Sequence, residues 1–423
     1  MERNAMRMNL KALLLASAVA VLGFTQAQAE DLNLWVRTSS GAVLQKLADQ
    51  FNASHTDKVI VTQITAEQMV TKLGASIAAG APPDGAVLDL IYVPTFAATD
   101  SLEDMTSFID GLPYAKALSP SHIRLGTYDG KKYAVPMLPD ASAIAYNKDL
   151  FKQAGLDPEK GPASLKEVVE DAKKIRALGG DTYGFFFVAS SGSWQVYTFT
   201  PHVWAAGADV LSEDGRTATV DTPQMREVLS LYNQMWKDGS IHPTSRSGNG
   251  SDAVAAFASG KVGILMTGSY IVNLLTSQYP DVNFGMVPIS GPDGGQSSFA
   301  GGDELTLIKG ISESKKKVAQ DFISFFMEPA QQVFITAEAG MPPRTDVAGE
   351  AYAKFDPRNL IAYDTLKDAR TPYTYASDEL FVSRTGPWLN MLTRAIFDGD
   401  IDGAVTTAQA EFTKILERTN PAK

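Results

Sequence analysis

A chain of 423 residues exceeds the size at which one hydrophobic core keeps growing, so two lobes and a large buried core are expected. With 44% hydrophobic and 20% charged residues, the composition is that of an ordinary soluble globular protein and excludes a disordered or membrane-embedded chain. The formal net charge of −11 argues against nucleic acid as a partner, and the absence of cysteine excludes disulfides, thiolate metal sites and a cysteine nucleophile.

The one long apolar run lies at the N-terminus, where Arg3, Arg7 and Lys11 precede Leu13 to Phe24 and Ala27-Gln28-Ala29 offers small residues around a cut site. This pattern predicts a signal peptide over 1–29, with Met1, Met6 and Met8 all candidate starts. A lipid tether needs a cysteine, so a freely diffusing periplasmic protein is expected.

In the predicted mature chain, Leu32, Leu34 and Val36 alternate with Asn33, Trp35 and Arg37, the period of a strand. The turn Thr38-Ser39-Ser40-Gly41 leads into a helix carrying Val43, Leu44, Leu47 and Phe51. Strand, small-residue turn and helix open a parallel α/β lobe, where ligands sit at the carboxyl ends of strands. Val59 to Ile64 and Leu88 to Val93 supply further strands, with a helix over Glu67 to Ala79 between them. Asp129-Gly130 turns into a short apolar strand that Pro136 is expected to end. Ser164-x-x-Glu167 is a capping box, and Asp221, Thr222 and Pro223 start another helix. Tyr183 to Val188 and Phe284 to Pro288 read as strands, and 346–423 as mainly helical around a break at Thr371 to Tyr375.

Three segments resemble the family 1 extracellular solute-binding proteins of ATP-binding-cassette importers, the maltose-binding-protein type. They are Tyr146-Asn147-Lys148-Asp149-Leu150-Phe151, the run from Phe257 to Tyr270 (FASGKVGILMTGSY), and the stretch from Gly301 to Thr345. The resemblance implies an α/β fold of two lobes, each a mixed sheet flanked by helices, with a ligand cleft at a multi-strand hinge. The first lobe is expected over 30–139 plus 301–341 and the second over 140–300 plus 342–423, with the first crossing near Pro136 to Asp140. A carbohydrate ligand, a membrane permease as partner, a monomer, and no cofactor or metal are also implied.

A sugar cleft needs planar carboxylates, amides and guanidinium groups for hydroxyls, and aromatic rings for C–H faces. Residues of these kinds at strand ends and crossings are Trp35, Arg37, Tyr92, Asp140, Trp194 and Tyr197, together with Tyr270, Asp303, Arg344 and Trp388. Ser39 of the first turn and Gly302 of the second crossing join them. By the resemblance, Asp140 stands where related sugar binders place a ligand carboxylate, six residues before the tyrosine of YNKD, and Tyr270 and Trp388 where they stack rings on sugars. Trp388 also shares a helix face with Leu392, so a core role competes, but a ring stacked on the ligand at the helix start is the expectation. Arg344 in a cleft would instead receive a phosphate or carboxylate, so an anionic sugar derivative or glycerophosphodiester is the alternative ligand.

The catalytic reading, a secreted carbohydrate-active enzyme, finds little support. His55, His122, His202 and His242 lie far apart without metal-binding spacing, and there is no GxSxG elbow or P-loop. Asp303-Glu304 are adjacent on a predicted strand and point to opposite faces, so a working pair needs partners elsewhere, and Asp303 with Asp140 is the pair to watch.

Overall fold

The computed structural model describes residues 29–349, 356–366 and 369–419. The predicted leader lies almost entirely outside them. The strands are β1 (Asp31–Arg37), β2 (Lys58–Ile64), β3 (Gly85–Asp89), β4 (Thr127–Tyr128), β5 (Lys131–Lys132) and β6 (Ala134–Asn147). After them come β7 (Tyr183–Phe186), β8 (Val262–Gly268), β9 (Phe284–Val287), β10 (Ile289–Gly291), β11 (Gly294–Ser297) and β12 (Ala300–Leu307).

One sheet runs in the order β2-β1-β3-β12-β6 and continues from β6 to β8 and β7, with β9 also on β6. Strand β6 serves both halves. Its first part, from Ala134 to Ala141, pairs with β12, and its second, from Ser142 to Asn147, pairs with β8 and β9. Pro136 does not end the strand as expected. Asp303 pairs with Leu138 and Glu304 with Pro136, so Met137 is the extra residue of a β-bulge, the kind of place where a residue without an N–H is tolerated.

Burial explains the layers. Leu32, Leu34 and Val36 are inaccessible on one face of the first half-sheet, under Leu44, Leu47 and Phe51 of the helix Thr38–Ser54 and Phe322 and Phe326 of the helix Glu313–Phe326. The other face packs Leu88 against Met69, Leu73 and Phe96. In the second half, Val168, Val169 and Ile175 of the helix Leu165–Arg176 join Phe185, Ile264 and Met266 of the sheet. Ser164 caps that helix by accepting from the Glu167 amide at 3.1 Å, while the Glu167 carboxylate reaches back to the Ala163 amide at 2.8 Å. Thr222 caps the helix Pro223–Lys237 in the same way.

A third segment, 369–376, lies across both halves. Ala300 N–H donates to Arg370 O at 2.9 Å, while Ser121 Oγ donates to Ala369 O, Thr95 Oγ1 to Tyr375 O and Tyr373 OH to Thr127 O, at 3.0 to 3.2 Å.

Candidate ligand-binding site

The carboxyl ends of β1 and β3 and the crossing of β6 with β12 face the amino end of the helix Gly192–Ala205 and the turn after β8. Between them lie two adjoining cavities of about 850 and 400 Å³, which share Arg37, Ser39, Asp89, Ser191, Ser193, Trp194 and Tyr270 in their walls.

The first wall is charged. Strand register sets Asp303 directly opposite Asp89, a repulsive pair unless a cation intervenes. Arg37, the last residue of β1, intervenes: its Nε donates to Asp303 at 2.7 Å and its Nη1 to Asp89 at 2.9 Å, and Ser40 Oγ donates to the other Asp303 oxygen. Burial would lower the Arg37 guanidinium, but the Asp303 and Asp89 charges outweigh it and hold it above its ordinary range. Asp89 is pushed up by burial and by Asp303, against the pull of Arg37.

The opposite wall is aromatic. Ser191 caps the helix Gly192–Ala205 through the Trp194 amide at 3.2 Å, which brings Trp194 and Tyr197 to the helix start beside the cavity. Tyr270 begins the helix Tyr270–Gln278 immediately after β8. At the floor, Gly302 sits at φ +111°, and a Cβ there would lie 2.1 Å from Leu138 O, so only glycine fits this crossing. His122 Nε2 donates to Gly301 O at 2.9 Å, and burial pushes the imidazole down to about 4 despite that bond.

A family description, bacterial extracellular solute-binding protein, matches residues 35–333. The chain belongs to this family. Among similar solute-binding proteins, a Brucella abortus (strain 2308) binding protein is 27% identical over 370 residues, covering 85% of this chain and 87% of its own. The sn-glycerol-3-phosphate-binding periplasmic protein of the same strain is 27% identical over 363 residues, covering 81% of each chain. An ABC transporter solute-binding protein from Thermotoga lettingae, solved with α-D-tagatose, superposes with a TM-score of 0.82 at 22% identity, covering 92% of this chain and all of the other. That likeness shows the fold.

In this solute-binding protein, nine of the residues chosen from sequence line the two cavities: Arg37, Ser39, Tyr92, Asp140, Trp194, Tyr197, Tyr270, Gly302 and Asp303. Three do not. Trp35 lies two residues deeper in β1, half-buried against the cluster of Leu73, Leu88 and Phe96. Arg344 is satisfied elsewhere, by Met327 O at 2.8 Å, a two-point pair with Asp346 and the Tyr114 ring at 4.2 Å. Trp388 is 0% exposed and packed edge-on against Phe199 and Phe381, so its helix start opens into core and not into the cleft.

Sequence reading missed Asp89, Ser191, Ser193, Asp378 and Arg384. A carboxylate closing the apolar run Ala86 to Leu88 was a usable signal for Asp89. Nothing local marks Asp378 or Arg384, which long-range packing carries to the rim.

Next to Asp303, Glu304 is fully buried with neither carboxyl oxygen hydrogen-bonded, and burial followed by the Asp89 and Asp303 charges pushes it well above the carboxylate range. An acid whose folded pKa is raised keeps its proton while the unfolded chain ionises near pH 4.5, so the native state loses stability as pH rises above that value, by up to about 1.4 kcal/mol per pH unit. Glu304→Gln is therefore expected to gain on the wild type in urea unfolding as pH rises above 4.5. A gap independent of pH would mean that Glu304 titrates normally.

Proposed function

We propose that this protein is the periplasmic binding component of an ATP-binding-cassette importer that takes a neutral carbohydrate or polyol between its lobes. The observation that carries the reading is the pair of unlike walls: hydrogen-bonding carboxylates, a guanidinium and hydroxyls on one side, Trp194 and Tyr270 on the other. Such walls match the two faces of a sugar. The lobes are 30–139 plus 301–341 and 140–300 plus 342–423, and the mature protein is a monomer without a lipid anchor. Ligand touching both lobes favours the closed form, which a membrane permease then engages. The protein performs no chemistry on its ligand.

The Brucella relative that binds sn-glycerol 3-phosphate supports an anionic ligand as the second reading. Charge favours the neutral one: Asp89, Asp140 and Asp303 outnumber Arg37 around the smaller cavity, and Arg344 is engaged elsewhere. A phosphate there would face uncompensated carboxylates.

A thermal-shift screen with tagatose, maltose and sn-glycerol 3-phosphate at low and high salt tests both. A sugar held at 100 times its dissociation constant is expected to stabilise the protein by about 2.7 kcal/mol with little salt dependence, and to be recovered unchanged after long incubation. A response to the phosphate alone, weakening with salt, would move the assignment to an anion. Recovery of a hydrolysed sugar would end the binding-protein reading.

A further inference from the structure

Asp140 stands where the two half-sheets meet: it pairs with Gly301 across β6 and β12, and two residues on, from Ser142, β6 pairs with β8. A carboxylate has about four acceptor directions. Here Oδ1 receives the Ala141 amide at 2.9 Å, the Ser269 amide at 2.9 Å and Ser269 Oγ, and Oδ2 receives Tyr197 OH at 2.5 Å. All four donors come from the chain itself. The space around this knot is reserved. A Cβ at Gly268 would lie 2.0 Å from Tyr197 OH and 2.6 Å from Asp140 Oδ2, and one at Gly301 would lie 2.8 Å from the Tyr197 ring.

We infer that Asp140 is a positioning residue, which ties Ser269 and Tyr197 to the crossing strand so that the rings of Tyr197 and Tyr270 are fixed in the aromatic wall of the cavity. The inference rests on the cavity being the ligand site. Ser269 directly precedes the helix that begins with Tyr270, so anchoring Ser269 at both its amide and its hydroxyl sets where that ring starts. Three donors crowd Oδ1 and the phenol takes one direction of Oδ2, so loss of this carboxylate would release Ser269 and Tyr197 together. The same knot links the aromatic wall to β12, so a shift between the half-sheets is felt at both rings.

The variant Tyr197→Phe cuts the link from Asp140 to the Tyr197 ring while leaving Ser269 held. Titration is carried out with tagatose or maltose, whichever stabilises the wild type. A positioning role predicts binding at least about fivefold weaker per folded molecule, with Asp140→Ala no worse when combined with Tyr197→Phe than alone. Equal or tighter binding by Tyr197→Phe would show that the link from Asp140 to Tyr197 does not set the site and would overturn the inference. A second arm needs no ligand, so it reads even if neither sugar binds and the proposed function fails: crystal structures of unliganded Asp140→Ala and Asp140→Asn. The alanine variant is expected to show the Ser269 and Tyr197 side chains displaced from their places in the aromatic wall, and the asparagine variant, which keeps an acceptor, to hold Ser269. Unmoved side chains in Asp140→Ala would sink the inference, and if that variant does not fold, displacement of Tyr197 alone in Asp140→Asn is the required result.

Discussion

Trp388→Ala is expected to cost about 3–5 kcal/mol of stability and to leave ligand affinity per folded molecule unchanged. The indole is inaccessible in a cluster with Leu392 and Phe412, with ring centroids of Phe199 and Phe381 at 5.8 and 5.7 Å. Removing it opens a cavity that the surrounding helices, fixed by their own contacts, fill only in part. Urea unfolding of the unliganded protein, beside calorimetric titration with a stabilising sugar, makes the check. Normal stability with weakened binding would return Trp388 to the cleft.

Arg37→Leu is expected to cost about 3–5 kcal/mol as well, for an electrostatic reason. It leaves Asp89 and Asp303 opposite each other in register, largely buried, with their shared countercharge gone. Asp89, already pushed up by burial, loses the Arg37 charge that lowered it, so the folded variant holds a proton that its unfolded chain releases. Its deficit relative to the wild type is therefore largest at neutral pH and shrinks as pH falls towards 4. Adding Asp303→Asn should recover part of the loss, because a single buried carboxylate remains. A deficit that is constant with pH, or no recovery in the double variant, would show that packing and not charge is at stake.

The charged wall illustrates how much of the site was legible. Arg37 and Asp303 were both visible as polar residues at the end of a strand and at a crossing, yet their roles were not. Arg37 could equally have met a surface carboxylate. Only the antiparallel register of β12 on β3 puts Asp303 beside Asp89 and makes the arginine necessary. Trp388 and Trp194 show the same limit for aromatics. Each stands near the start of a helix, and the sequence around them does not say whether that start faces solvent or another helix. Trp194 meets open space beside Ser191 and Ser193, whereas Trp388 meets Phe199 and Phe381. Arg344 was offered to a ligand anion, but a carboxylate two residues away claims it first.

What the sequence by itself determined was local or periodic. Alternating apolar residues made β1, helical spacing over Leu165 to Ile175 made an amphipathic helix, and Ser164 and Thr222 marked helix starts, because these depend on neighbours within a few positions. The YNKDLF stretch and its companions carried the family by their order along the chain. The tertiary structure decided whatever depends on partners far apart in sequence. It ran β6 straight through Pro136, since the bulge against β12 spared the missing N–H, and it brought donors from 57 and 129 residues away to the Asp140 carboxylate. It also sent Asp378 and Arg384 to the rim of the cavity and Trp388 into the core. A side chain's burial and its hydrogen-bond partners are properties of the assembled surfaces, and residue type restricts them without choosing among them.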